Sequence, residues 1–204
     1  MRTAVSVVVC SAALSVASTA SAAFVEYSDL ASFIADTSAT SASGSLALPH
    51  SAPDFTWGSV RVTIPSGSTM ALGEWTSRLD AEFAISGSEN VNYDFAAPVF
   101  AAGFRFVEPQ FDPNVNAPFS ESTFRVTLLN AGSAVHTFDV TRPNDVATFI
   151  GIAGDAAFDR MEVREIAGGV ENEFFGEVFT AIPAPGAASL ALTGVLLNNR
   201  RRRR

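Results

Sequence analysis

Phe158-Asp159-Arg160-Met161-Glu162-Val163-Arg164-Glu165-Ile166 carries the clearest strand pattern in the chain. Met161 and Val163 alternate with Arg160, Glu162 and Arg164, a period of two that gives a strand one apolar face and one face in water. The same period recurs where Val60, Val62 and Ile64 alternate with Arg61 and Thr63. It appears again where Leu79, Ala81, Phe83 and Ile85 alternate with Arg78, Asp80 and Glu82. Segments 91–95, 99–107, 123–129, 135–140, 147–152 and 174–181 carry further strand-forming runs. Turn signals separate them: Ser86-Gly87-Ser88, Asn130-Ala131-Gly132, Arg142-Pro143-Asn144-Asp145 and Gly168-Gly169. Eight to ten short strands without intervening helices define an all-β chain, an antiparallel β-sandwich or jelly roll. The pattern predicts Val60, Val62, Phe83, Phe104, Phe106, Phe124, Val126, Met161 and Val163 on the inner faces.

Two places break the period. Ser28-Asp29-Leu30-Ala31-Ser32-Phe33-Ile34-Ala35 reads as one short amino-terminal helix, with Ser28 as its cap and Leu30, Phe33 and Ile34 on one face. Phe55 and Trp57 lie in opposite phase to Val60, Val62 and Ile64, and a bulge near Gly58 would bring both sets to the core.

The chain has 204 residues, of which 23–182 suffice for one domain with its own core. All 21 acidic residues fall in that span against seven arginines, an excess of 14 negative charges, and lysine is absent. Such a surplus argues against nucleic acid as a partner and favours solubility or divalent cations bridging carboxylates. The one cysteine, Cys10, lies in the amino-terminal apolar run, so residues 23–182 hold no disulfide and no thiolate site. With only His50 and His136, histidine metal sites and a serine triad lack parts. Acidic residues are abundant, yet no spacing singles out a glycosidase pair.

Binding has more candidates than catalysis. Residues 108–122, Glu-Pro-Gln-Phe-Asp-Pro-Asn-Val-Asn-Ala-Pro-Phe-Ser-Glu-Ser, place Asp112, Asn114 and Asn116 at alternate positions of a long loop, as calcium's oxygen ligands require. The same residues are ordinary turn formers beside proline, and both readings stand. Sugar binding calls for an exposed ring beside hydrogen-bonding groups. Trp75, in a polar stretch ahead of a strand, is the best candidate, whereas Trp57 and Tyr93 fall on apolar strand faces and read as core.

The termini read as addresses. Met1-Arg2, an apolar run over 3–17 and Ala20-Ser21-Ala22 form a signal peptide over 1–22, with cleavage after Ala22. At the other end, 183–204 comprises Pro183-Ala184-Pro185-Gly186, an apolar run suited to a short helix, and Arg200, Arg201, Arg202, Arg203 and Arg204. This arrangement resembles the PEP-CTERM sorting signal of bacterial surface proteins, with Ala184 where the family has glutamate. The resemblance implies recognition of Pro183, Pro185, Gly186 and the arginine cluster by an exosortase-type enzyme. It also implies transient anchoring in the inner membrane through the apolar helix, and delivery to the cell surface or extracellular matrix.

The runs PVFAAGFRF, FIGI, FDRMEVREI and GGVENEFFGEVFT over 97–180 resemble a jelly-roll ectodomain found ahead of such signals. That resemblance implies that Glu171 and Asn172, at the end of the last strands, serve calcium or sugar; a solvated glycine hairpin is the other reading. The expected protein is an exported, non-catalytic component of the cell envelope or exopolysaccharide matrix, binding carbohydrate or calcium. The alternatives are a carbohydrate-active hydrolase on the same scaffold and a purely structural matrix protein.

Overall fold

The computed structural model describes residues 22–44, 53–65, 68–72, 83–109, 111–112, 117–118, 122–168 and 171–182. Thirteen strands and one helix occur among them: β1 (Phe24–Tyr27), α1 (Leu30–Thr37), β2 (Thr40–Ser41), β3 (Asp54–Trp57), β4 (Val60–Thr63), β5 (Ser68–Leu72), β6 (Phe83–Gly87), β7 (Val91–Val107), β8 (Phe111–Asp112), β9 (Ala117–Pro118), β10 (Thr123–Asn130), β11 (Ser133–Val140), β12 (Thr148–Ala167) and β13 (Glu171–Ala181). All strand pairings among the described residues are antiparallel.

Two long strands convert one hydrogen-bonded sheet into a sandwich. The sequence separates 91–95 from 99–107, and 147–152 from 158–166; in the structure each pair is one strand, β7 and β12. Residues 96–98 of β7 are exposed and Pro98 has no N–H to give a ladder. Between β12 and β7 the register shifts beside this segment, from Ala153↔Ala101 to Phe158↔Val99. In an extended chain Tyr93 and Phe104 would stand about 36 Å apart. Their ring centroids are 5.2 Å apart, so β7 folds over and contributes to both layers.

The first layer runs β11-β10-β12-β7-β4-β3, using the carboxy-terminal part of β12 and the amino-terminal part of β7. The second runs β1-β12-β7-β13-β6-β5, using the other halves, and β2 takes the place of β6 beside Phe179 and Thr180.

The core lies between these layers. All nine residues predicted to face inward are at most 1 % exposed. Phe175 is the hub on the second layer, stacked on Phe83 at 5.6 Å and contacting Phe104, Phe106 and Phe124. Trp57 and Tyr93 are core, as read from their strand faces. Phe55 and Trp57 join it through a tight hairpin and not a bulge: Phe55 pairs with Val62 and Trp57 with Val60 across the two-residue turn Gly58-Ser59. Reversing the chain restores the phase that a bulge was invoked to supply. Gly58 has φ +63, and a Cβ there would collide with the Ala42 and Ser43 carbonyls, so glycine is required.

The helix is present, but Asp29 caps it in place of Ser28: the Asp29 carboxylate accepts from Ser32 N at 2.8 Å. An Asp at this position reaches the free N–H two or three residues on, while Ser28 sits one residue too early. Of the expected apolar face only Phe33 is buried. It rests on the outer face of the second layer against Phe149, Ala101 and Phe179, with Phe149 at 5.0 Å. Gly103 and Gly151 make room for that contact, since a Cβ on either would strike the Phe149 ring. Among the described residues no helix is long and apolar enough to cross a membrane, and 1–21 and 183–204, which hold both terminal signals apart from Ala22, lie outside the described residues.

Candidate functional site

Among the described residues no element covers the outer face of the first layer, and the strand alternation fills it with polar groups. Arg61 sits between Val60 and Val62, Asp94 beside Tyr93, Arg125 between Phe124 and Val126, and Arg160 and Glu162 flank Met161, so each points away from the core. Register then brings opposite charges together across strands. Arg61 chelates Asp54 through Nε and Nη2 at 2.9 and 2.6 Å, and Arg125 chelates Asp139 at 2.8 and 2.9 Å. Arg160 donates to both oxygens of Asp94 at 2.6 and 3.3 Å and reaches Glu162 at 3.5 Å. Arg164 pairs with Glu162 at 3.2 Å and donates to Asn92 Oδ1 at 2.5 Å, while Asn92 donates to Thr63 at 2.9 Å.

Four arginines balance four carboxylates on this face, in a span whose sequence carries 14 excess negative charges. The surplus therefore lies elsewhere. Hydrogen bonding to Arg61 holds the Asp54 carboxyl below its ordinary value, and Arg125 does the same for Asp139. Partnered, half-exposed guanidinium and carboxylate groups keep spare donors and acceptors directed at solvent. Among the described residues no aromatic ring stands with these side chains.

A second polar group occupies one end of the inter-sheet space. One inward position beyond Val91, Phe106, Phe124 and Phe175 come Glu89, Glu108, Ser122 and Glu173, all buried. Ser122 ties the end together: its N–H donates to Glu108 Oε1 and its hydroxyl to Glu173 Oε1 at 3.1 Å. Burial pushes the Glu173 carboxyl up to about 8, and its Oε2 has no hydrogen-bond partner. Sealed from solvent, Glu108 and Glu173 form a closure of the sandwich that a substrate cannot reach. Sequence reading places Glu108 at the start of the proline-rich loop and misses this role; the signal was its even spacing from Phe104 and Phe106.

Of the residues proposed from sequence, the structure describes Asp112, Glu171 and Asn172. Asp112 lies in β8, registered against Ala117 of β9, so part of the 108–122 loop is a two-stranded ribbon; Asn114, Asn116 and Trp75 lie outside the described residues. Glu171 and Asn172 begin β13, registered against Gly87 and Ser86, because the strand starts three residues earlier than expected. They are ladder residues, not part of a glycine turn. Among the described residues no three histidine, cysteine, aspartate or glutamate side chains are disposed to hold a metal ion. His136 stacks on Phe24 at 4.3 Å, closing the edge where β11 meets β1.

Together these features define an all-β, two-layer sandwich with one open, charge-balanced polar face. No family model and no curated protein matches the sequence. Among solved structures, a variant of a family 29 carbohydrate-binding module is similar at 14 % identity and TM-score 0.42, over 70 % of this chain and 91 % of that one. The C-terminal family 22 carbohydrate-binding module of Clostridium thermocellum Xyn10B is similar at 11 % identity and TM-score 0.41, over 70 % and 97 %. Another family 29 variant, complexed with mannohexaose, is similar at 15 % identity and TM-score 0.39, over 79 % and 93 %. At these scores the likeness carries no argument about this chain's ligand.

Proposed function

We propose that this chain is an exported, non-catalytic component of the cell envelope or exopolysaccharide matrix that binds polysaccharide through the outer face of its first layer. The interlocked Arg61, Arg125, Arg160, Arg164, Asp54, Asp94, Asp139 and Glu162 carry the reading. Sugar hydroxyls both donate and accept, so they match a surface that offers both at fixed spacing. Because its charges cancel, that face also presents no net repulsion to a glycan. A glycan array combined with a reducing-sugar release assay tests it: retention of glycans without release of reducing ends is expected. Release would favour a hydrolase, and absence of both would favour a structural protein.

Export and sorting belong to the same proposal, with cleavage after Ala22 and recognition of Pro183, Pro185, Gly186 and Arg200–Arg204 by an exosortase-type enzyme. The Ala23 nitrogen stands 2.9 Å from Asp155 Oδ1, which supports the cleavage position. Removal of the leader would convert that amide into an ammonium already seated on a carboxylate. Mass spectrometry of protein from the envelope is expected to find Ala23 first and the arginines gone. Calcium held by Asp112, Asn114 and Asn116, or by Glu171 and Asn172, completes the proposal. It calls for a higher melting temperature in calcium than in chelator.

A further inference from the structure

Arg105 stands apart from every other described cation. Of the six described arginines, Arg61, Arg125, Arg160 and Arg164 pair with carboxylates, and Arg142 donates to the carbonyls of Phe149, Thr141 and Tyr27. Among the described residues the Arg105 side chain has no hydrogen-bond or ion-pair partner, although it is half-buried and its Nε is sealed from solvent. Leaving a buried charged donor unsatisfied is costly, the more so in a chain with carboxylates to spare.

Its position explains where a partner would come from. Phe104 and Phe106 face the core, so Arg105 emerges on the outer face of the second layer, registered against Phe149 and beyond the amino-terminal end of α1. It lines a pocket of about 360 Å³ whose other walls include Ser28, Asp29, Leu30, Val146 and Thr148. The walls are chemically divided. Arg105 offers a planar fork of donors that fits a carboxylate. Asp29, occupied by Ser32 on its Oδ1, and the Ser28 and Thr148 hydroxyls offer acceptors to hydroxyl groups. Leu30 and Val146 supply an apolar side for C–H groups.

We propose that this pocket binds a small hydroxylated carboxylate, of which a uronic acid residue is the best-fitting form. Asp29 selects against phosphate and sulfate, which bring more negative charge and no hydroxyl donors of comparable spacing. The site is on the opposite layer from the polar face proposed above and does not depend on it.

Titration calorimetry of the whole protein with D-glucuronate, with glucose, with acetate and with inorganic phosphate tests the proposal. Glucuronate is expected to bind, glucose and phosphate at least tenfold more weakly, and acetate at least tenfold more weakly because it lacks hydroxyls. Equal affinity for acetate would overturn the sugar-acid class, equal affinity for glucose would overturn the role of the guanidinium, and equal affinity for phosphate would overturn the selection by Asp29 and with it the carboxylate class. Arg105→Gln is expected to abolish binding and Arg105→Lys to weaken it, since the ammonium loses the planar fork. Ala147→Phe, which fills the pocket from its exposed rim, is expected to abolish binding with Arg105 intact, so the result does not hang on the folding of one variant. Arg125→Gln, on the other layer, is expected to leave glucuronate affinity unchanged while impairing polysaccharide retention. Binding of glucuronate that survives both Arg105→Gln and Ala147→Phe, or its absence in the wild type, would exclude the site.

Discussion

On the outer face of the first layer, half-exposed charges hold one another: Arg125 pairs with Asp139 and Arg160 with Asp94 across strands, and Arg160 reaches Glu162 along its own strand. On the outer face of the second layer, Phe149 and Phe179 lie under Phe33 of α1, over strands thinned to Gly103, Gly151 and Ala101. Both faces arise from the same alternation along β7 and β12. The covered face needs small residues and a ring, because a helix must approach closely to exclude water. The uncovered face needs charges in register, because its side chains have only each other and solvent. The covered face therefore adds burial to the core between the layers, and the open side is left available for contacts with other molecules.

The largest effect should follow from breaking the covered side. Phe33→Ala removes a fully buried ring and should cost about 3–5 kcal/mol, read as a fall in the chemical-denaturation midpoint. Gly151→Ala sharpens the same point: its Cβ meets the Phe149 ring, so overpacking of about 1–3 kcal/mol is expected. A Gly151→Ala variant as stable as the parent would mean that the helix can ride up at no cost.

The end of the sandwich should respond to pH. Glu173 moves from 4.5 to about 8 on folding, so the folded state holds a proton that the unfolded chain releases between those values. Its contribution is fully present below about pH 4.5 and is lost as pH rises through about 8, with a slope up to about 1.4 kcal/mol per unit. Melting of Glu173→Gln should lack this decline. A smaller gain is expected inside the core, where the Tyr93 hydroxyl is buried without a partner: Tyr93→Phe should stabilise by about 1 kcal/mol. Smallest of all, Arg125→Ala on the open face should leave the melting temperature unresolved from the parent, because exposed ion pairs contribute little.

The alternation in 158–166 and 60–64 placed Met161, Val163, Val60 and Val62 inside, and the structure agrees, because burial of one strand face is a local property of sequence. What pairs across strands is not local. The Arg160–Asp94 contact depends on register between segments 66 residues apart, and the Arg61–Asp54 contact on a hairpin that sequence reading replaced with a bulge, so neither pair was legible. The folding-over of β7 at 96–98 was likewise hidden: exposed residues around Pro98 read as a loop, and only the neighbours on β12 and β13 keep the strand continuous. Arg105 looked like any outward residue of PVFAAGFRF; its isolation follows from the helix ending short of it. Trp75, the aromatic preferred for sugar contact, lies outside the described residues, and the ladder that the structure brings together contains no ring.

Affinity electrophoresis through gels containing a neutral polysaccharide tests the central claim, comparing the wild type with the Arg160→Gln, Asp94→Asn double variant. That pair removes both charges together, so net charge and mobility in a blank gel are preserved. Retardation of the wild type that the double variant loses is expected, with melting temperature unchanged. Equal retardation of the two proteins, or none for the wild type across a set of neutral and acidic polysaccharides, would contradict it.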